Sequence, residues 1–252
     1  MTAKASGGVR VIHFETIDST NAEAHRRAGA GERGPLWIIA DRQTAGRGRL
    51  GRGWVSEPGN LYATHLFTIA ATPAVATQVS FVAALAVCDM VAELLPPDSR
   101  VRPRLKWPND VLLDGAKFSG LLPETVHAEA GRITLALGCG INLAHAPEGT
   151  LYPVTSLARH GVLITPGKAI SPFSGVLLGW LKIWDEGRGF ALIRAAWLER
   201  AAHLGSEMIA HRQNVEISGR FEGLAADGAM ILTLSDGTSR MIHAGEVQVR
   251  PR

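Results

Sequence analysis

The sequence contains little cysteine and little excess of charge of one sign. Its 252 residues include only two cysteines, Cys88 and Cys139, which excludes a disulfide scaffold and favours a reducing, cytoplasmic environment. Lys and Arg number 26 against 23 Asp and Glu, a net charge of +3. This excess is too small for a protein that coats nucleic acid.

Long apolar segments are also scarce. The longest apolar block, residues 81–88, ends at Asp89 and is far shorter than the roughly 20 residues that span a bilayer. The opening MTAKASGG lacks the apolar core of a signal peptide, so we predict a disordered tail over residues 1–8. No helix-turn-helix module fits before Val9. We therefore expect neither a membrane nor DNA as partner.

Apolar patterning predicts a mixed α and β fold up to about residue 204. Cap residues 18–21 precede a helical run, Pro73 opens a long apolar helix, and Pro103 places the cationic segment 100–106 at a sheet edge. An Asp114-Gly115 turn predicts a hairpin. The predicted strands are 9–15, 36–40, 61–70, 100–106, 111–113, 117–122 and 132–137, and the predicted helices are 22–30, 73–95 and parts of 166–203.

The composition changes after residue 204. Three short strand-like segments, 215–224, 229–234 and 239–244, are separated by Asp-Gly turns at 227–228 and 236–237. This pattern is typical of an antiparallel meander or small barrel. We predict one domain over residues 9–204 and a small β domain over residues 205–252.

The strongest chemical feature is GRGRLGR at residues 46–52. It fits the glycine spacing of a dinucleotide-binding turn, but Pro58 and several glycines follow where that turn requires a helix. Guanidinium groups on a glycine-rich loop suit carboxylate and phosphate oxygens, so the loop predicts an anion clamp. A solvated basic loop, or one that contacts RNA, is the alternative.

Two further segments suggest a ligand site. KWPND at residues 106–110 offers polar groups at an extended turn, or is an ordinary hairpin entry. Lys117 follows and either places a charge beside an anion or extends to solvent. In GCGIN, residues 138–142, the glycines permit close approach of a ligand or form a β-bulge. The histidines show no metal-ligand spacing, so we predict no structural metal.

In this order, the segments resemble the biotin protein ligase family. The resemblance runs from residue 11 to the C-terminal IHAGEV, residues 242–247, and the pairing of GRGRLGR with KWPND is its most specific part. It implies a largely antiparallel mixed sheet packed with helices, similar to the class II aminoacyl-tRNA synthetases, and an SH3-like C-terminal barrel. Because no DNA-binding module precedes residue 9, the resemblance is to the form that lacks one.

The resemblance implies a two-step reaction. ATP activates biotin as biotinyl-AMP, and biotin is then transferred to a lysine of a biotin carboxyl carrier domain, with Mg²⁺ accompanying ATP. Both a monomer and a homodimer remain open, as do three roles of the C-terminal domain: touching the carrier, closing over ATP and completing the core. A lipoate or octanoate ligase or transferase, or a non-catalytic RNA-binding module, is the alternative function.

The resemblance also assigns roles to residues of this sequence. Arg47 and Arg49 clamp the biotin carboxylate and the α-phosphate, and Lys117 lies between them. Trp54 stacks on adenine or only anchors its loop. The implied biotin-binding residues are Ser19, Thr20, Asn21, Gln43, Gly46, Arg47, Gly48, Arg49, Tyr62, Lys117, Gly120, Gly138 and Gly140, and the implied ATP-binding residues are Arg49, Arg52, Trp54, Asn109, Asp110, Lys117 and Asn142.

Some positions depart from the usual pattern of the family. Pro123 interrupts a stretch that is usually apolar and strand-like, Phe118 and Ser119 replace smaller residues, and Cys139 stands between the glycines where alanine or isoleucine is more usual. These changes affect the expected pocket rim and affinity, and they leave the charged residues intact.

Overall fold

The computed structural model describes residues 3–212, 215–243 and 246–249. Its helices are α1 (Thr20–Gly29), α2 (Pro73–Ala76), α3 (Val79–Leu94), α4 (Pro166–Trp184) and α5 (Phe190–Glu199). Its strands are β1 (Ala3–Lys4), β2 (Arg10–Ile17), β3 (Leu36–Gln43), β4 (Leu61–Ile69), β5 (Pro103–Lys106), β6 (Asp110–Leu113), β7 (Ala116–Glu129), β8 (Arg132–Ile141), β9 (Glu207–Arg212), β10 (Val215–Leu224), β11 (Met230–Thr233), β12 (Ser239–Ile242) and β13 (Glu246–Val249).

The first sheet is mixed and largely antiparallel, which confirms the predicted fold class. Within the described residues its order is β1-β2-β3-β4-β8-β7-β6-β5, and β2 and β3 pair in parallel. Because side chains alternate along a strand, Leu36, Ile38 and Leu66 pack with α1 on one face. Trp37 and Phe67 join the larger core of α3, α4 and α5 on the other face.

Two prolines of the first sheet lie where their missing N–H groups interrupt no strand pairing. Pro103 begins β5 at the outer edge of the sheet, as predicted. Pro123 lies inside β7, so this proline does not interrupt the strand as its position in the sequence suggested. The pairs between β6 and β7 end at Gly120. The imide nitrogen of Pro123 therefore removes no bond to β6.

The apolar helix predicted over 73–95 is divided into α2 and α3. Thr77 and Gln78 keep helical dihedral angles, but the N–H groups of Ser80 and Phe81 bond three residues back, at 3.3 and 3.0 Å. Residues Pro73–Leu94 are long and apolar enough to cross a membrane by length and composition. However, 78% of their most apolar window is buried inside the protein, as in the core helix of a soluble protein.

The second sheet contains β9 to β13 in the order β12-β11-β10-β9-β13, and its pairs are antiparallel. The predicted small C-terminal β unit is therefore confirmed, and three of its strands match the predicted segments. The sequence pattern does not indicate β9 and β13. Of the C-terminal IHAGEV segment, Ala244 and Gly245 lie outside the described residues. The domain boundary near residue 204 stays a prediction.

The prediction of a disordered tail is wrong for residues 3–8. β1 pairs with β2, and Ser6–Gly8 form a 3₁₀ turn. Ser6 Oγ lies 2.8 Å from Ser171 Oγ, and Ser174 Oγ donates to the Ser6 carbonyl at 3.0 Å. Partners on α4 that are distant in sequence satisfy this segment, so its local composition could not reveal them. Met1 and Thr2 lie outside the described residues.

Candidate functional site

Most of the predicted site residues line one cavity at the end of the first sheet. Its volume is about 70 Å³. The structure brings together there Ser19, Thr20, Asn21, Gln43, Arg47, Gly48, Arg49, Arg52, Trp54, Tyr62, Asn109, Asp110, Lys117, Gly120, Gly138 and Gly140. Segments more than 100 residues apart in sequence, around α1 and β8, thus converge on one space.

The N-terminus of α1 forms one wall of the cavity. Ser19 caps the helix, since its hydroxyl accepts from the N–H of Ala22 at 3.4 Å. The backbone N–H and the hydroxyl of Thr20 donate to Gln43 Oε1 at 2.8 and 3.1 Å, and Gln43 Nε2 donates to Ser56 Oγ at 2.9 Å. The polar groups of this wall therefore have fixed orientations before any ligand binds.

Asn21 is held by two residues that the sequence analysis missed. Its Nδ2 donates to Glu124 Oε2 at 2.6 Å, and its Oδ1 lies 2.6 Å from Thr64 Oγ1. Asn21 and Thr64 are both buried. Their residue types carry no signal of this role, because strands β4 and β7 bring them to α1 only in the folded chain.

The Arg-Gly loop folds back on itself beside this wall. Arg47 and Gly53 form an isolated antiparallel β-bridge, and Gly48 N donates to Arg52 O at 2.7 Å. Arg49 begins a 3₁₀ turn, and its Nη1 donates to Asn109 Oδ1 at 3.2 Å. Within the described residues no α-helix follows before β4, which agrees with rejecting the dinucleotide-binding interpretation.

Lys117 is brought to the cavity by the predicted hairpin. Asp114 and Gly115 have φ values of 51° and 73°, as a tight turn of this kind requires. Lys117 Nζ lies 2.7 Å from Asp110 Oδ1, with 15% and 20% of the two side chains exposed. Lys117 therefore reaches the cavity rather than open solvent.

Trp54 lies against the glycines of β7 and β8. A Cβ on Gly140 would lie 2.5 Å from the indole, and a Cβ on Gly120 would lie 2.9 Å from it. Lys117 Nζ is 5.3 Å from the ring centroid, close enough for a cation–π contact. The indole therefore fills space in the cavity itself.

Tyr62 and Gly138 complete the cavity walls. The Tyr62 hydroxyl donates to the Glu57 carbonyl at 2.8 Å, and burial raises the pKa of Tyr62 to about 12, so the phenol is neutral. A Cβ on Gly138 would lie 2.5 Å from Asn21 Oδ1. The two glycines of GCGIN thus make room for Asn21 and for Trp54.

Two predicted residues do not line the cavity. Gly46 packs against Ser56, because a Cβ there would lie 2.6 Å from Ser56 Oγ, and its carbonyl accepts from Trp54 N at 2.9 Å. Asn142 is buried, and its Nδ2 donates to the Thr155 carbonyl at 3.1 Å. This bond connects the end of β8 to the segment that contains Thr155. The contact of Asn142 with the nucleotide stays a prediction.

The prediction also missed several residues that line the cavity. Tyr152 is the most informative, because its ring centroid lies 5.6 Å from Lys117 Nζ and 42% of it is exposed. The signal that the sequence offered was an aromatic residue in a segment with turn-forming residues, GTLYP at residues 149–153. The others are Gly53, Leu121, Leu122 and Cys139. Burial raises the pKa of Cys139 far above its usual value, so this thiol is no nucleophile.

Comparisons with known proteins show the family to which the chain belongs. The biotin/lipoate A/B protein ligase family matches residues 13–142, and the biotin protein ligase C terminal domain matches residues 203–250. The biotin–[acetyl-CoA-carboxylase] ligase of Paracoccus denitrificans is 40% identical over 236 residues, which cover 91% of this chain and 96% of that protein. The bifunctional ligase/repressor BirA of Bacillus subtilis is 29% identical over 94% of this chain and 73% of that protein.

A solved structure is similar over nearly the whole chain. It is the biotin protein ligase from Aquifex aeolicus in complex with biotin and ATP, with a TM-score of 0.79 and 26% identity. The match covers 96% of this chain and 99% of that one. Together with the two family matches and the Paracoccus relative, this shows that the chain belongs to the biotin protein ligases of the biotin/lipoate A/B protein ligase family.

Proposed function

We propose that this protein activates biotin with ATP to biotinyl-5′-AMP and transfers the biotinyl group to a lysine of a biotin carboxyl carrier domain. The observation that carries the proposal is the convergence of Arg47, Arg49, Arg52 and Lys117 on one cavity with an ordered set of hydrogen-bonding groups. The similarity to ligases of acetyl-CoA carboxylase supports the same acceptor class.

The wall at α1 suits the polar ring of biotin. A ureido group presents both donors and an acceptor, and a mostly apolar ligand needs a few aimed hydrogen bonds to fix its orientation. Ser19, Thr20, Asn21 and Gln43 supply such groups in fixed positions. In this binding mode the biotin carboxylate points toward the cationic side chains.

The cationic side chains of the cavity reduce the repulsion between the two anions that react in the first step. A carboxylate must attack a phosphate, and the two anions repel each other at bonding distance. Arg47, Arg49 and Lys117 offset that repulsion and the negative charge that grows on the phosphate oxygens. Because Asp110 holds Lys117 Nζ at 2.7 Å, the ammonium is positioned before the substrates arrive.

The nucleotide side uses Trp54, Arg52, Asn109 and Asp110. Mg²⁺ is usually bound through one or two carboxylates and substrate phosphates, and Asp110 supplies a carboxylate in the cavity. When bound, Mg²⁺ would neutralise phosphate charge. The present cavity of about 70 Å³ is smaller than the roughly 300–1,000 Å³ of ordinary ligand sites. We infer that Trp54 leaves the glycines and then stacks on adenine.

The proposed reaction and the free cysteines both favour the cytoplasm as the compartment of this protein. The proposed reaction consumes ATP, and both cysteines are free and buried, as in a reducing environment. The match to the C terminal domain of biotin protein ligases favours this function over lipoate or octanoate transfer. Membership in an enzyme family favours catalysis over the alternative of a non-catalytic RNA-binding module.

The test is incubation with ATP, biotin and a purified carrier domain, followed by intact-mass measurement of the carrier. One biotinyl group should be added, and lipoate or octanoate should not replace biotin. The proposal fails if the carrier mass is unchanged with biotin or increases with lipoate instead.

Lys117→Ala tests the cationic clamp within the same assay. Loss of the ammonium should slow adenylate formation, measured as pyrophosphate release, by about 100-fold, as removal of one transition-state donor does in other enzymes. Lys168→Ala, on the exposed side of α4, is the control and should keep the parent rate. Parent-like turnover of the Lys117 variant would remove this residue from the mechanism.

A further inference from the structure

A second, larger groove adjoins the candidate site. Its volume is about 430 Å³, and Arg49, Asn109, Leu121 and Leu122 line both spaces. The bond from Arg49 Nη1 to Asn109 Oδ1, 3.2 Å long, lies at the boundary between them. The groove therefore opens onto Arg49, which in the proposed function contacts both the biotin carboxylate and the α-phosphate.

The far wall of this groove belongs to the C-terminal unit. Asp227, Gly228 and Ala229 of the turn between β10 and β11 line it, together with His243 after β12. Asp227 Oδ2 lies 3.0 Å from His243 Nε2. Both side chains remain more than half exposed, at 56% and 59%, so an incoming group can reach them.

This wall is fixed to the first sheet. Trp107 Nε1 donates to the Gly228 carbonyl at 3.1 Å, and a Cβ on Gly228 would lie 3.0 Å from the Phe81 ring. Asp227 Oδ1 accepts from Ala229 N at 3.0 Å. The Asp227 carboxylate is thus held at one place relative to Asn109 and Arg49.

The composition of the groove distinguishes between two occupants. Its remaining lining is mostly apolar and includes Pro73, Ala74 and Phe81. The bond from Ala229 N and the nearby His243 hold the pKa of Asp227 below its usual value, so this carboxylate is charged at neutral pH. A phosphate chain would be repelled there, whereas an alkyl chain with a terminal ammonium fits apolar walls and an anion.

We propose that this groove admits the acceptor lysine of the carrier domain and that Asp227 of the C-terminal unit is a positioning residue for its ammonium group. The inference rests on the proposed ligase function. The amine, once it has released its extra proton to solvent, attacks the carbonyl carbon of biotinyl-AMP. A C–N bond forms, the C–O bond to phosphate breaks, AMP leaves with the electron pair, and the second proton passes to solvent.

The turn between β11 and β12 provides a matched control. Asp236 precedes Gly237 as Asp227 precedes Gly228, and its carboxylate accepts from Thr238 N at 2.9 Å. Asp236 is not among the residues that line the groove. In both Asp→Asn variants the amide oxygen can keep the turn bond, so the fold should be preserved while one charge is lost.

The experiment compares Asp227→Asn with Asp236→Asn in two assays. Asp227→Asn should raise KM for the carrier domain about fivefold, as expected for a partly exposed ion pair worth about 1 kcal/mol, with little change in kcat. Pyrophosphate release with biotin and ATP alone should stay at the parent rate. Asp236→Asn should match the parent in both assays.

Ala74→Trp provides a second test that does not depend on charge. Ala74 is exposed on α2 and lines the groove, so an indole there should obstruct the carrier and leave adenylate formation intact. The inference would be overturned if KM for the carrier were unchanged in both Asp227→Asn and Ala74→Trp. It would also be overturned if these variants lost as much activity in pyrophosphate release as in transfer to the carrier. If the parent forms no adenylate, the proposed function fails instead.

Discussion

His65 illustrates how a single residue can differ in role from its neighbours along one strand. It lies three positions after Tyr62 on β4, so its ring faces the opposite side of the sheet. The ring stacks between Trp37 and Phe67, with centroid distances of 4.6 and 4.8 Å. Neither ring nitrogen has a hydrogen-bond partner among the described residues. Burial lowers the pKa of His65 to about 3.

This shift predicts a loss of stability in acid. Below about pH 6.5 the unfolded chain binds a proton at His65 that the folded protein binds only near pH 3. Stability should therefore fall as the pH drops through that window. Between pH 7 and 4.5, urea unfolding should show the parent losing about 2 kcal/mol more than His65→Leu. Equal losses in the two proteins would show that His65 does not cause the acid sensitivity.

At the scale of elements, α1 combines a structural role with a ligand-binding one. Ser19 both caps the helix and lines the cavity. An extended Ncap residue exposes its hydroxyl where the first N–H groups of the helix point. The same local geometry thus stabilises the helix and orients polar groups toward the proposed biotin ring.

Two substitutions at Ser19 separate these roles. Ser19→Ala should lower stability by about 1 kcal/mol, whereas Ser19→Gly should cost only a few tenths, because glycine is tolerated at this position. Both should weaken biotin binding, since both remove the hydroxyl. Denaturant unfolding and calorimetric titration measure the two effects. Parent-like biotin affinity in both variants would limit Ser19 to capping.

At the scale of the whole molecule, the two sheets share one apolar core. Phe221 and Leu232 of the C-terminal strands belong to the same buried cluster as Phe81 and Trp197. At Gly228, whose φ is 92°, an added Cβ would lie 3.0 Å from the Phe81 ring. Close packing at this glycine fixes the groove between the two units.

Gly228→Ala tests that contact, with Gly237→Ala as its control. Both residues have positive φ, at 92° and 81°, so each alanine should cost about 1–2 kcal/mol of backbone strain. At Gly228 the added methyl also meets Phe81, whereas at Gly237 nothing lies within 4 Å. Gly228→Ala should therefore lose about 1–3 kcal/mol more in urea unfolding. If the two variants lost equal free energy of unfolding, the space beside Gly228 would accommodate a methyl group and the two units would not be in close contact there.

Local signals in the sequence predicted much of the fold. The Asp114-Gly115 hairpin, the edge position of Pro103 and three of the C-terminal strands all appear in the structure. Each depends on residues close together in the chain. The disordered tail, which is wrong for residues 3–8, failed because Ser6 contacts Ser171, a partner more than 100 residues away in the sequence.

The sequence by itself determined the charges and glycines of the candidate site, because residue type fixes which side chains are cationic and where the backbone can be approached. Only the tertiary structure decided what surrounds them. Thr64 and Glu124 orient Asn21, Asn142 donates to the Thr155 carbonyl, and Asp227 lies across the neighbouring groove. These relations depend on which strands pair and which turns pack together, and such long-range contacts leave no trace in local spacing.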